Sequence, residues 1–160
     1  MTNNIGLNKE SSQKVAEALN GLLASYQVFY MNMRGYHWNI TGAGFFSLHE
    51  RFELYYDDLV AKVDEIAERI LTLGHTPVHT FSEYLTTSRI EEHKNATSAS
   101  VCLKGSLEGF KTLVLQQREI LNLANELDDE GSASLMSDYI KEQEKTIWML
   151  SAACETCCLQ

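Results

Sequence analysis

Apolar residues recur at steps of three and four along four stretches of the chain, the spacing expected of one face of an α-helix. The first stretch runs from about Ser11 to Tyr36. Its apolar stripe consists of Val15, Leu19, Leu22, Leu23, Tyr26, Phe29, Tyr30 and Met33. We predict that Gly35 and the loop 39–44 end this helix, because glycine permits backbone angles that stop one. Residues 1–10 precede the stripe, and we expect them to be flexible.

The second predicted helix spans about Phe46 to Leu73. Ser47 is a suitable N-cap for it, and Gly74 is a suitable residue to follow its end. The third helix is predicted from Ser98 to Leu127 and the fourth from Ser132 to Ala153. The acidic turn at 128–131 separates these last two.

The connection between the second and third helices is long, and its segment Thr76–Leu85 has room for one short helix. An up-and-down bundle with short loops fits this connection less well. We therefore predict an all-α fold, a four-helix bundle with one long crossover, which is the connectivity of ferritin-like folds. The 160 residues are enough for a single domain covering 1–160.

Composition narrows the classes of partner. The chain has 13 Lys and Arg against 22 Asp and Glu, a formal charge of −9. Such a surface repels nucleic acid and anionic membranes and attracts cations. There is no apolar run of 18 residues and no pattern of a signal peptide, so we expect no membrane association. Four cysteines without an export signal favour reduced thiols and a cytoplasmic location.

Histidines and carboxylates cluster in the first and second predicted helices. The candidate metal ligands are His37, His49, Glu53, Asp64 and Glu68. These side chains suit Fe²⁺, Mn²⁺ or Zn²⁺. The last four lie within one helical stripe about 100° wide, and His49/Glu53 and Asp64/Glu68 are each i,i+4 pairs. The spacing alone is equally compatible with a solvated acidic face that carries two ordinary histidines.

Helix geometry separates these candidates into two groups. His49 and Asp64 are fifteen positions apart, about 22 Å along a helix. Metal ligands lie about 2 Å from their ion, so the two pairs cannot share one site within a subunit. Two copies of the helix packed antiparallel about a two-fold axis near Tyr56 and Asp57 would bring each His49/Glu53 pair to the partner's Asp64/Glu68 pair. The sequence therefore predicts a metal site between subunits.

The contrary pattern would be Glu-x-x-His, by which ferritins hold two irons inside each bundle. No glutamate in this chain is followed three residues later by histidine. We therefore expect no di-iron centre within the bundle.

The motif H-W-N-x-x-G-x-x-F-x-x-L-H-E-x-F-E, followed by Y-x-x-L and D-x-I-A-E-R-I-x-x-L-G-x-x-P, extends through Tyr36–Pro77. This run resembles the signature of the Dps family of mini-ferritins, and Glu144–Leu150 resembles the family's final-helix motif. Helix order and length agree over nearly the whole chain.

The resemblance implies a twelve-subunit shell that oxidises Fe²⁺ and stores a ferric mineral. Its ferroxidase sites would lie at two-fold interfaces, with His37 and His49 from one subunit and Asp64 and Glu68 from its partner. Two Fe²⁺ ions would bind per site. Glu53 replaces an aspartate that many relatives use to hold the second iron. Zn²⁺ or Mn²⁺ would be substitutes, and the oxidant would be hydrogen peroxide in preference to O₂. The expected benefit is protection against oxidative stress.

The resemblance also suggests roles for residues around the site. Trp38 would intercept stray oxidising equivalents, or would simply pack at the interface. Iron would enter through acidic three-fold pores with Asp129, Asp138 and Glu144 as candidates, although Ser134 replaces a frequent aspartate. The alternative for these acids is a solvated helix start favoured by the helix dipole.

Two terminal features bear on other functions. The first twelve residues hold a single base, Lys9, and the last seven hold none. Because phosphate binding needs several Lys or Arg side chains, we predict no direct DNA binding.

The cysteines Cys154, Cys157 and Cys158 offer only three local ligands, so we interpret them as ordinary thiols rather than a zinc site.

Three hypotheses follow. The first is an iron-oxidising storage shell with ferroxidase activity. The second is a nucleoid-binding structural protein without that activity, and the third is a helical module that binds partners. The missing basic tail argues against the second, and the His/Asp/Glu geometry argues against the third.

Overall fold

The computed structural model describes residues 1–157, with side chains described to residue 154. Five helices follow one another: α1 Lys9–Asn39, α2 Phe45–Thr72, α3 Phe81–Thr87, α4 Ala99–Glu126 and α5 Glu130–Cys157. In this described part the only strand-like pairing is a single bridge between Thr2 and Asn8. The all-α prediction is confirmed.

The four long helices form a bundle. Helix α1 packs against α2 and α4, α4 packs against α5, and the short α3 lies on α1. Side chains join α2 to α5, where the Tyr139 hydroxyl donates to Glu65 and the Lys62 ammonium lies 2.9 Å from Glu142. The crossover between α2 and α4 contains α3, which confirms the predicted long connection with a short helix. That helix continues to Thr87, beyond the predicted segment.

Aromatic side chains fill the interior where α1 meets α4. Phe29 and Phe110 meet edge to face, with ring centroids 5.0 Å apart, and both are buried. A Cβ atom at Gly109 would lie 2.1 Å from the Phe29 ring. A glycine within α4 therefore allows α1 and α4 to approach closely.

Helix α1 is longer than the sequence predicts. It begins at Lys9 because the Asn8 side chain accepts hydrogen bonds from two backbone N–H groups of the first turn. It also passes through Gly35 and ends at Asn39, so Gly35 does not terminate it. One glycine costs a helix only about 1 kcal/mol, which packing readily offsets. As a result His37 lies in the last turn of the helix.

The start of α2 corrects a second prediction. Helix α2 begins at Phe45 after Gly44, which has a positive φ of 80° and caps the helix through its backbone. Ser47 lies inside the first turn, and its hydroxyl donates to the Gly44 carbonyl at 3.0 Å, so Ser47 is not the N-cap. The other end agrees with the prediction, because Gly74 follows α2 with a φ of 89°.

The remaining boundaries concern α5 and the N-terminus. Helix α5 begins at Glu130 rather than Ser132, because the Asp129 carboxylate accepts the backbone N–H of Ser132 at 3.0 Å. At the N-terminus the Asn3 side chain accepts the N–H of Leu7 and donates to the Leu73 carbonyl. The flexibility of residues 1–10 stays a prediction.

Among residues 1–157, no helix combines the length and the apolar character that a bilayer span requires.

Candidate metal centre

His37 and His49 come together where α1 ends and α2 begins. His37 lies in the last turn of α1 and His49 in the first turns of α2, across the loop 40–44. Their imidazole rings are stacked, with centroids 3.7 Å apart and an interplanar angle of 17°. The structure thus brings both predicted nitrogen ligands to one point.

Two reciprocal hydrogen bonds hold this pair. His37 Nδ1 lies 2.7 Å from the carbonyl oxygen of His49, and His49 Nδ1 lies 2.7 Å from the carbonyl oxygen of His37. A carbonyl oxygen can only accept, so each Nδ1 carries the proton and donates. In the neutral rings both Nε2 atoms then keep their lone pairs, the form in which imidazole binds a metal.

The same bonds serve the fold. The last four carbonyl groups of a helix lack partners within it, and the His37 carbonyl is one of these in α1. His49 supplies the missing donor and ties the end of α1 to the start of α2. The sequence shows both histidines but not this exchange, which depends on the path of the loop between them.

Aromatic neighbours fix the two rings further. Phe45 stacks on His49 with centroids 5.0 Å apart, and Tyr56 meets the His37 ring edge-on at 5.2 Å. His37 is only 8% exposed. The nitrogen ligands are therefore held rigidly before any metal binds.

The predicted carboxylate ligands have a different environment. Asp64 and Glu68 lie one turn apart on α2 and are exposed, as is Glu53 near the histidines. Neither Asp64 nor Glu68 has a side-chain ion pair or hydrogen bond to the described residues. Nothing in that part of their own chain neutralises these two charges.

Helix α2 is unbroken from Phe45 to Thr72, so about 22 Å of helix separates His49 from Asp64. The structure therefore does not bring the histidines and these carboxylates together within one subunit. No group of three or more His, Cys, Asp or Glu side chains gathers in a metal-binding arrangement among the described residues. A shared site between subunits stays a prediction.

Trp38 lies beside the histidines on the outer surface and is 55% exposed. The guanidinium of Arg34, one turn earlier on α1, lies 4.7 Å from the centre of its ring. Arg34 also donates to the Tyr30 hydroxyl at 2.8 Å and lies over the Tyr56 ring. Sequence reasoning missed Arg34, although its i,i+4 spacing from Trp38 was the available signal.

The predicted pore residues differ in exposure. Asp129 is 2% exposed and lies 2.5 Å from an Arg69 nitrogen, so it has a structural contact as well as its cap. Asp138 is exposed, and Glu144 pairs with Arg118 on α4. Ser134 is also exposed. The role of these acids in a pore stays a prediction.

The cysteines lie away from the histidines in the sequence. Cys102 is fully buried in α4, and burial raises the pKa of its thiol to about 11. Cys154 is half-buried. The side chain of Cys157 and the whole of Cys158 lie outside the described residues, so the interpretation of the C-terminal thiols stays a prediction.

Large apolar side chains are exposed on the same outer face as the candidate ligands. On α2 these are Phe46, Leu54, Val60 and Leu71, and on α1 they are Met31 and Trp38. Next to them lies a cavity of about 770 Å³ between α1, α3 and the segment 92–97, with Trp38, Phe81 and Tyr84 in its wall. Extended apolar patches of this kind mark interaction sites.

Comparison with known proteins gives a consistent set of relatives. The model of the ferritin-like domain matches residues 16–158. An uncharacterised protein of Haemophilus influenzae is 61% identical over 153 residues, with 96% of each chain covered. A protein of Porphyromonas gingivalis named DNA protection during starvation protein is 45% identical over 147 residues, with 92% of each covered.

A solved structure agrees with these sequences. The Dps protein of Vibrio cholerae O1, described as a member of a broad superfamily of ferritin-like diiron-carboxylate proteins, is 58% identical to this chain. The match covers 94% of this chain and 95% of that one, with a TM-score of 0.93. The whole bundle, including its crossover, is therefore similar to that of the Vibrio protein.

Proposed function

This chain belongs to the Dps group of the ferritin-like family, and we propose on that premise that it oxidises ferrous iron at sites shared between subunits. It then stores the product as a ferric mineral inside a twelve-subunit shell. Hydrogen peroxide is the preferred oxidant and O₂ the alternative. Removing both iron and peroxide protects the cell against oxidative stress.

The observation that carries this proposal is the reciprocal hydrogen bonding of His37 and His49. Both Nδ1 atoms donate to carbonyl oxygens, so each of the two stacked rings keeps the lone pair of its Nε2 atom. A structural histidine in a bundle needs neither the neighbouring imidazole nor the free nitrogen. The arrangement suits binding of Fe²⁺, or of Zn²⁺ or Mn²⁺ in its place.

Two nitrogens leave a metal ion short of ligands and of negative charge. The exposed carboxylates of Asp64 and Glu68 supply both, and a two-fold axis near Tyr56 and Asp57 brings them from the partner. Glu53, one turn after His49 on α2, is a ligand of a second Fe²⁺ ion. Its carboxylate is exposed and lies near the Tyr56 hydroxyl, on the same helix.

The exposed apolar side chains support assembly through this face. Leu54 and Val60 flank the expected axis on α2, and Met31 and Trp38 extend the patch onto α1. Burial of such side chains is worth about 25 cal/mol per Å² of apolar surface. The face that carries the ligands therefore also gains from burial against a second copy.

The proposed reaction transfers two electrons from iron to peroxide. Two Fe²⁺ ions each give one electron to a single peroxide, which becomes two hydroxide ions. Pairing the electrons at one site avoids release of hydroxyl radical. The protein positions both metal ions and contributes carboxylates that stabilise the higher charge of the product.

An anaerobic titration with Fe²⁺ followed by peroxide tests this proposal. We expect saturable binding and oxidation of two Fe²⁺ per peroxide, measured by optical absorbance, in a particle of twelve subunits measured by sedimentation. A chain that sediments as a monomer of about 18 kDa, or binding that does not saturate, would contradict it.

Direct DNA binding is not part of the proposal. The formal charge is −9, and the first twelve residues contain one base. Because counterion release requires several Lys or Arg contacts, we expect no mobility shift of duplex DNA at physiological salt. A shift without divalent cations would favour the nucleoid-binding alternative, whereas a shift only with Mg²⁺ would indicate bridging by the cation.

A further inference from the structure

The residue before the first histidine ligand takes part in an unusual contact. Tyr36 is 1% exposed, and its hydroxyl lies 2.6 Å from Nδ1 of His93. His93 itself is exposed and lies in the wall of the 770 Å³ cavity next to α1. A buried phenol is thus connected to the surface through a single imidazole.

Several features of the chain make room for this contact and hold it. A Cβ atom at position 105 would lie 2.3 Å from the Tyr36 hydroxyl and 2.9 Å from His93 Nδ1, so Gly105 leaves the space that the hydrogen bond occupies. Asn32 holds the segment that carries His93: its side chain accepts the His93 N–H and donates to the Glu91 carbonyl, each at 2.9 Å.

The chemistry of this pair is that of a coupled donor of one electron and one proton. A phenol that loses an electron becomes a strong acid, and a charged radical is costly to leave in an apolar interior. His93 accepts the proton through Nδ1 when its own proton is on Nε2. The electron and the proton can then leave Tyr36 together, and the interior stays uncharged.

We propose that the Tyr36–His93 pair is a second redox site, which reduces hydroxyl radical formed when peroxide takes one electron instead of two. Tyr36 gives one electron to the radical, which becomes hydroxide, and its hydroxyl proton passes to His93 Nδ1. The phenoxyl radical remains on Tyr36, away from solvent. This inference rests on the proposed function, since iron oxidation is the source of the radical.

The location fits that task. Tyr36 and His37 are consecutive residues of α1 with Cα atoms about 3.8 Å apart, so the backbone that carries the phenol adjoins that of a proposed metal ligand. The Tyr36 ring also meets Phe52 at 5.8 Å, and Phe52 precedes Glu53 in α2. Trp38, in contrast, is half-exposed and has the positive charge of Arg34 4.7 Å from its ring. That charge disfavours a radical cation on the indole.

The test uses the assembled protein and electron paramagnetic resonance in two arms. In the first, peroxide is added to protein loaded anaerobically with Fe²⁺, and samples are frozen. In the second, metal-free protein is oxidised by a flash-generated ruthenium(III) tris-bipyridine complex. The variants are Tyr36→Phe, which keeps the ring, and His93→Gln, which keeps a hydrogen-bond acceptor but cannot take the proton. Tyr84→Phe is the matched control, because among the described residues the Tyr84 hydroxyl donates only to the Val78 carbonyl, at 3.0 Å.

We expect a tyrosyl signal in both arms that is lost in Tyr36→Phe, strongly reduced in His93→Gln and kept in Tyr84→Phe. A merely structural hydrogen bond would leave the His93→Gln signal unchanged, and that result overturns the proposal. Persistence of the signal in Tyr36→Phe overturns it as well. A His93-dependent signal in the flash arm alone would establish the pair and refute iron oxidation as its source of radicals.

Discussion

His37 and His49 occupy one end of α2 in a fixed arrangement, whereas Asp64 and Glu68 lie toward its other end without partners in the described part of the chain. The histidine rings are stacked, hydrogen-bonded to each other's backbone and packed against Phe45 and Tyr56. The carboxylates project from a solvent-facing surface. The nitrogen half of the proposed site thus also stabilises the fold of its own subunit, while the carboxylate half acquires a role only in an assembly.

The largest expected effect is on activity and is the same for both halves. His37→Ala/His49→Ala removes the nitrogen ligands, and Asp64→Ala/Glu68→Ala removes the carboxylate ligands. Mutation of a residue that hydrogen-bonds to a metal ligand typically lowers activity 10- to 100-fold. We therefore expect the loss of two direct ligands to lower the oxidation rate by more than about 100-fold. Peroxide-driven oxidation of Fe²⁺, followed optically, measures this loss, and near-normal rates in either variant would remove that pair from the site.

The same two double variants should differ in their free energy of unfolding. The histidine change removes two hydrogen bonds, leaves the His37 carbonyl without its donor and opens space beside Phe45, so we expect a loss of about 2–4 kcal/mol. The carboxylate change affects exposed, like-charged neighbours and is expected to alter stability by less than about 0.5 kcal/mol. Thermal unfolding of the metal-free proteins provides the comparison. Equal midpoints for the two variants would mean that the histidine arrangement contributes nothing to the fold.

A smaller effect is expected at the residue that sets the start of α2. Gly44 has a φ of 80°, and an alanine in this left-handed conformation costs about 1–2 kcal/mol. Gly35→Ala is the matched control, because Gly35 lies within α1 with nothing near its missing Cβ and should gain about 0.5–1 kcal/mol. Urea unfolding midpoints that move in the same direction for both variants would show that the left-handed conformation of Gly44 does not constrain the start of α2.

The comparison of the two halves also shows which features the sequence reveals. Helical periodicity and the i,i+4 pairs of α2 depend on local spacing, so the bundle and the two ligand pairs are predictable. The exchange of hydrogen bonds between His37 and His49 depends on the path of five loop residues, and periodicity carries no information about it. The contact of Tyr36 with His93 joins positions 57 apart. Residue type alone favours Ser47 as the cap of α2, whereas Gly44 occupies the cap position in the structure.

A predicted effect that is confined to alkaline pH lies outside both halves of the site. Burial raises the pKa of Cys102 from 9.0 to about 11, so the folded protein favours the protonated thiol. Any stability from this shift is complete below pH 9 and is lost as the pH rises toward 11. We expect the free energy of unfolding to fall less steeply over this range in Cys102→Ala than in the parent. Parallel slopes in denaturant titrations would contradict the assignment.

The central claim is that each site combines histidines of one subunit with carboxylates of another, and co-assembly of the two inactive double variants tests it most directly. In a mixed dimer one interface site has both halves damaged, while the other has His37 and His49 from one chain and Asp64 and Glu68 from its partner, all intact. We expect co-expressed, verified mixed assemblies to regain about half the parental activity per mixed dimer. Mixed assemblies that fold and associate normally but remain inactive would contradict it.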